Sequence, residues 1–206
     1  MIGISKLYFG TVEASDRLRY RKGVHRRPVV VWNCTPACNL ACSHCYAACA
    51  GEQRVLTTDQ ARAVIDDLAA FGVPVILFSG GEPFLRPDIR TLAAHAKARG
   101  IRVTFSTNGT LIDDAWADWI RDLGVAYVGI SIDGTEVIHD AFRRHPGAYR
   151  QSLAAIRRLR DRGVKVGLRV TMTRDNVASL PAIFDLMRRE RVPRICLYHL
   201  VYTGRG

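Results

Sequence analysis

Apolar and polar residues follow one repeating unit along this chain: an amphipathic stretch, a glycine, then a short apolar run rich in β-branched residues. Four of the joints read Phe71-Gly72-Val73, Arg99-Gly100-Ile101, Leu123-Gly124-Val125 and Arg162-Gly163-Val164. Glycine suits that position because a helix commonly ends on a residue in the left-handed region. The pattern predicts strands over 28–33, 74–79, 102–107, 126–132, 165–171 and 194–200, each apolar enough to be buried in a parallel sheet. Helices are predicted near 57–71, 88–99, 113–123, 149–162 and 180–189. Thr57 with Gln60 has the spacing of a capping box. Ser179 can cap the last helix, with Pro181 tolerated in its first turn. Trp116 and Trp119, three apart on a helix, belong to its packed face.

Alternation of strand and helix implies right-handed crossovers and a parallel α/β sheet. Six strands are too few to close an eight-stranded barrel, which leaves a doubly wound sheet or an open, partial barrel. In both, ligands bind beyond the carboxyl ends of the strands. The unusual motifs fall there. Cys38-Asn-Leu-Ala-Cys42-Ser-His-Cys45 follows the first strand, and Ser79-Gly80-Gly81-Glu82-Pro83 the second. Ser106-Thr107-Asn108-Gly109 ends the third, and Ser131-Ile132-Asp133-Gly134 the fourth.

The 206 residues are 48% apolar, enough for a single core. No apolar run reaches the roughly 18 residues of a membrane helix, and the opening lacks the apolar centre of a signal peptide, so a cytoplasmic location is the default expectation. The net charge is +11, from 30 Lys and Arg against 19 Asp and Glu. Most arginines lie along helices as a solvated surface, and no RNA-binding signature accompanies them. Nucleic acid and membrane are therefore not expected partners, whereas a polycarboxylate substrate fits the charge.

Six cysteines are present, five of them between 34 and 49. In a cytosolic α/β chain such clustering points to metal rather than disulfides. The spacing C-x3-C-x2-C can wrap three thiolates around one corner of an iron–sulfur cluster, leaving one iron open. An open site beside a pocket suggests catalysis, by the logic that separates catalytic from structural zinc. Zinc is the alternative, with Cys34, His44 or Cys49 as a fourth ligand, but no second knuckle is present and the other motifs would go unexplained. The two glycines of Gly80-Gly81-Glu82-Pro83 let a backbone approach a ligand closely, and Glu82 adds an acceptor for an ammonium. Cys34 and Cys196 read as small buried side chains, and Cys49 as either that or a loop thiol. His139, His145 and His199 read first as surface or hydrogen-bonded residues. His199 and Tyr198 gain weight by ending the last strand on the active rim.

The cysteine loop with Gly-Gly-Glu-Pro resembles the radical S-adenosylmethionine (SAM) superfamily. That resemblance implies a partial (β/α)6 barrel of TIM-barrel type and two cofactors, a 4Fe–4S cluster and SAM. It implies an enzyme that reductively cleaves SAM to a 5′-deoxyadenosyl radical, which takes hydrogen from the substrate. Carried over by position, Cys38, Cys42 and Cys45 would be the cluster ligands. His44 would lie near the adenine, and Gly80, Gly81 and Glu82 at the methionine amine. Ser106, Asn108, Ser131 and Asp133 would hold the ribose and carboxylate. Arg169, a charge inside an apolar strand, would either pair with the SAM carboxylate or face outward.

The opening MIGISKLYFGTVE, Pro28-Val-Val-Val-Trp-Asn33, Phe78–Pro87, Val128–Gly134 and Tyr198–Gly206 are similar to a subgroup acting on sirohaem-derived tetrapyrroles. The opening is most like that of the didecarboxysirohaem deacetylases, which remove acetate side chains to give an iron-coproporphyrin. The haem d1 enzymes, which remove propionates, are close. The resemblance implies a tetrapyrrole substrate and an electron donor of flavodoxin or ferredoxin type. It divides the chain into an N-terminal extension over 1–27 and a core over 28–206. Two departures stand out: Pro36 and Ala37 replace two arginines common in the family, and the family continues past residue 206 into a region that often holds an auxiliary cluster. A truncated product is expected to bind its cluster yet turn over a tetrapyrrole poorly.

Overall fold

The computed structural model describes residues 27–47 and 55–206. Cys49 and nearly all of the expected N-terminal extension lie outside those residues. In chain order the elements are β1 (Val30–Asn33), α1 (Thr58–Phe71), β2 (Val75–Ser79), α2 (Ile89–Ala98), β3 (Arg102–Thr107), α3 (Asp114–Leu123) and β4 (Tyr127–Ser131). They continue with α4 (Glu136–Arg143), α5 (Ala148–Asp161), β5 (Val166–Met172), α6 (Leu180–Arg189) and β6 (Ile195–His199). Short 3-10 turns cover Pro83–Leu85 and Val177–Ser179.

All neighbouring strands pair in parallel, in the order β1-β2-β3-β4-β5-β6. A doubly wound sheet reverses its strand order at a switch point. This sheet has no reversal, and its six strands form the curled arc of a partial (β/α)6 barrel.

Local chemistry explains the boundaries. Thr57 and Gln60 form the reciprocal capping box, and Asp113 caps α3 by accepting from Trp116 N. Gly72, Gly100, Gly124 and Gly163 all have positive φ, so each joint turns where an L side chain would be strained. Ser179 starts α6 but makes no side-chain capping bond; its hydroxyl is buried without a partner among the described residues. The sequence pattern missed α4, an eight-residue helix inserted between β4 and α5.

The two faces of the sheet differ in kind. Ile76, Phe78, Phe105, Val128, Ile130, Leu168 and Val170 point to the helices and are fully buried, beside Ile65, Leu92, Ile120, Ile156 and Leu159. Trp116 and Trp119 pack edge to face at the margin of this core. The other face alternates with it and carries small or polar residues: Ser79, Ser106, Gly129, Ser131, Arg169 and Thr171. Tyr127 crosses the backbone of Gly167, where a Cβ would lie 2.3 Å from its hydroxyl. Cys196, in register with Arg169, is half-buried on this inner face rather than in the helix-side core. The strands are thus not apolar on both sides; the inner side is reserved for the site.

Arginines on and just beyond α5 are ion-paired to neighbouring helices. Arg157 and Arg160 both grip Glu190 beyond α6, and Arg162 bridges Asp114 and Asp118 of α3. No helix among the described residues is long and apolar enough to cross a membrane.

Phe105 touches Phe78, Phe84 and Trp119. Replacing it with Ala leaves a cavity at the centre of the helix-side core and is expected to cost about 3–5 kcal/mol of unfolding free energy. Urea denaturation followed by tryptophan fluorescence measures the loss.

Candidate functional site

A cavity of about 230 Å³ opens at the carboxyl ends of the strands. Cys38, Cys42 and Cys45 form one wall, and Gly80, Gly81, Ser106, Asn108, Ser131 and Arg169 line it from β2 to β5. His44, Arg143, Thr171, Tyr198 and His199 also reach it.

The cysteine loop is held to the barrel mainly by backbone bonds. Cys34 N donates to Ser79 O at 2.9 Å, Gly81 N to Thr35 O at 2.7 Å and Glu82 N to Ala37 O at 2.7 Å. The approach leaves no room for side chains: a Cβ on Gly80 would lie 2.4 Å from Thr35 O, and one on Gly81 2.2 Å from Ala37 O. The glycines therefore admit the cysteine loop itself, and two amides of the turn are committed to it. On the other side, Ser43 N donates to Phe142 O, Arg205 N to Cys45 O and Arg205 Nε to Cys42 O.

Glu82 is completely buried and lies behind the cavity wall. Its carboxylate accepts from Thr107 Oγ1 at 2.8 Å, Asn108 N at 2.9 Å and Phe84 N at 3.3 Å. Burial pushes its pKa from 4.5 up to about 7, against the pull of those bonds. Asp133 is likewise committed, accepting from Thr171 N and paired with Arg143. Asn108 lines the cavity with its amide tied to Asn39 and Thr110. The hydroxyls of Ser106 and Ser131 have no protein partner among the described residues. Arg169 points inward: a Cβ on Gly129 would lie 2.6 Å from its Cδ, and its guanidinium sits 4.6 Å over the Tyr198 ring.

His44 stacks on Phe142 with ring centroids 4.3 Å apart. Burial, reinforced by the Arg143 charge, pulls its pKa down to about 4, so the imidazole is neutral near pH 7. Cys34 is buried and, with its thiol pushed up to about 12 by desolvation, stays protonated. His139 is also buried, with Nδ1 accepting from Asp133 N.

Arg143 is the residue that sequence reading missed. It ends α4, is buried, and sets Nη1 3.6 Å from Cys42 Sγ. The only signal for it was the run His139-Asp140-Ala-Phe142-Arg143 after the Asp133-Gly134 turn, too short to stand out as a helix.

The donor set suits a polynuclear cluster. Among the described residues no three of His, Cys, Asp and Glu lie close enough to hold a single ion. Thiolates on one zinc, about 2.3 Å from the metal, crowd within about 4 Å of one another. An iron–sulfur cluster takes one thiolate per iron and spreads them further. Among the described residues, two buried polar atoms of residues that line this cavity, Arg143 Nε and His44 Nδ1, have no hydrogen-bond partner and are available to a bound species. A wider groove of about 870 Å³ adjoins, sharing His44 and His199 and lined also by Arg174 and Arg205.

Comparison with known proteins agrees with this geometry. The Radical SAM superfamily profile matches residues 32–187. The chain is 50% identical over 220 aligned residues to Fe-coproporphyrin III synthase of Methanosarcina barkeri, covering 100% of this chain and 55% of the relative. It is 47% identical over 185 residues to pre-heme d1 synthase of Dinoroseobacter shibae, covering 87% and 45%. The chain thus spans about half the length of these relatives. Among solved structures, anSMEcpe with bound AdoMet superposes with a TM-score of 0.72 at 18% identity, covering 84% of this chain and 51% of that one. SuiB of Streptococcus suis bound to precursor peptide SuiA gives 0.75 at 16% identity, covering 86% and 41%.

Two outcomes test the site. Gly81→Ala is expected to displace the cysteine loop and lower iron uptake on reconstitution at least several-fold, read as iron per chain. For Glu82, the unfolded chain releases its proton near pH 4.5 and the folded chain near 7. The stabilisation is therefore fully present below 4.5 and is lost as pH rises through 7. Glu82→Gln should remove that slope and cost about 1–3 kcal/mol at pH 5, because its amide turns a donor toward other donors; urea titrations of cluster-free protein at several pH values give both.

Proposed function

Since the chain belongs to the radical SAM superfamily, whose cofactors are a 4Fe–4S cluster and SAM, we propose that its whole protein removes acetate side chains from 12,18-didecarboxysirohaem to give Fe-coproporphyrin III. The observation that carries the substrate assignment is the 50% identity to Fe-coproporphyrin III synthase across this whole chain. When bound, the cluster and SAM supply a carbon-centred radical by one-electron reductive cleavage.

The positions of the chain's own residues support a role for each. Cys38, Cys42 and Cys45 hold the cluster and leave one iron for SAM. Ser106 and Ser131, whose hydroxyls have no partner among the described residues, would hydrogen-bond SAM's polar groups, and the Arg169 guanidinium would pair with its carboxylate. Asn108, its own side chain tied to the protein, shapes the same wall. Neutral His44, stacked on Phe142, would border the adenine. Gly80 and Gly81 border the methionine end, while Glu82 and Asp133 act from behind: Glu82 braces the end of β3, and Asp133 holds Arg143 and the end of β5. Closing the wall in this way keeps water from a reactive centre.

The adjoining groove suits a flat macrocycle, and Arg174 and Arg205 on its border suit peripheral carboxylates. The net charge of +11 supports a polyanionic substrate. The same reading puts the enzyme in the cytoplasm, with residues 28–206 as its radical SAM core and a flavodoxin- or ferredoxin-type protein as electron donor.

The test is anaerobic reconstitution of the whole protein, followed by reduction with SAM and didecarboxysirohaem, measuring 5′-deoxyadenosine and porphyrin together. Loss of two acetates coupled to SAM cleavage is expected. Loss of propionates instead would move the assignment to the haem d1 reaction. Cys38→Ala, Cys42→Ala and Cys45→Ala should each abolish the cluster's absorbance, whereas Cys34→Ala should keep it; iron loss in Cys34→Ala would overturn the ligand assignment.

A further inference from the structure

Arg143 is a permanent cation that nothing in the roles above employs, and it sits where a cation has a large effect. It is buried, as is Cys42, and its Nη1 is 3.6 Å from the Cys42 sulfur. Nη2 is ion-paired with the carboxylate of Asp133, which is itself completely buried and also accepts from Thr171 N at 3.0 Å. His139, buried and stacked edge-on against Tyr149, accepts from Asp133 N at 3.1 Å. The guanidinium is therefore braced from β4, β5 and α4 at once. Its Nε–H is buried with no partner among the described residues.

We propose that Arg143 is a positioning residue for the iron–sulfur cluster: through Nη1 it donates to the Cys42 thiolate, and thereby raises the cluster's reduction potential. The inference rests on the cluster reading above, and not on the tetrapyrrole. Hydrogen bonds to cluster sulfurs and nearby positive charge both favour the more negative, reduced state, and burial keeps solvent from screening them. Asp133 holds the guanidinium in place through Nη2 and leaves Nη1 directed at the Cys42 sulfur. Outer groups of this kind set a metal centre's properties without touching the metal.

The experiment is an EPR-monitored redox titration of the reconstituted whole protein, before SAM is added, so that no SAM carboxylate competes for the guanidinium. Two variants are compared with the wild type. Arg143→Lys keeps the charge and loses the fork; Arg143→Met combined with Asp133→Asn removes the cation without leaving a buried carboxylate unpaired. The double variant is expected to keep its iron and shift the one-electron equilibrium about tenfold toward the oxidised form, a potential lower by about 59 mV. The Lys variant should shift the same way by less. An unchanged potential at full iron content would overturn the proposal, and so would loss of iron from both variants, since Arg143 would then build the loop rather than tune the cluster. A wild-type chain that takes up no cluster would overturn this inference and the cluster reading together. The measurement uses no tetrapyrrole, so failure of the substrate assignment has no bearing on it.

Discussion

The contact between the cysteine loop and the Gly80-Gly81 turn is the constraint on which the site depends. Gly81 N and Glu82 N reach the carbonyls of Thr35 and Ala37 at 2.7 Å, a separation possible only because neither glycine carries a Cβ. These bonds fix one end of a loop that has no regular secondary structure of its own. Ser43 and Arg205 fix the other end, against the C-terminus of α4 and the segment after β6. Three thiols are thereby turned to one cavity wall.

A second layer of buried charge makes that wall rigid. Glu82 and Asp133 were each expected to face the cofactor, yet both spend their oxygens on protein donors. Desolvating a carboxylate costs several kcal/mol unless hydrogen bonds compensate; the bonds to Glu82 offset only part of that cost, since its pKa still rises to about 7, and Asp133 answers it with one hydrogen bond and its ion pair with Arg143. What they present to the cavity is indirect: the ordered ends of β3 and β5, and the fixed guanidinium of Arg143. The cavity's own polar contacts fall to smaller or more flexible groups, Ser106, Ser131 and Arg169.

The division of labour between the faces of the sheet follows from the same economy of space. The helix side takes the large apolar residues and supplies the stability. The inner side needs room, so Gly129 and Gly167 stand under Arg169 and Tyr127. Arg169 could not lie along the barrel floor if position 129 carried a side chain, which decides its direction in favour of the cavity.

The sequence by itself determined the periodic units, the six strands along the chain, the helix cap at Thr57 and the four glycine joints, because each depends on residues within a few positions of one another. It also marked the three cysteines and the Gly-Gly-Glu turn, since their spacing along the chain is itself the chemical signal. Tertiary structure decided the rest. Unbroken strand order made the sheet a partial barrel. Contacts between distant residues settled which polar groups remain available: Glu82 is answered by Thr107 and Asn108, and Arg143 meets a cysteine 101 positions away. Local pattern carries no trace of such pairings, because a side chain's availability depends on which donors and acceptors the fold brings within about 3 Å of it.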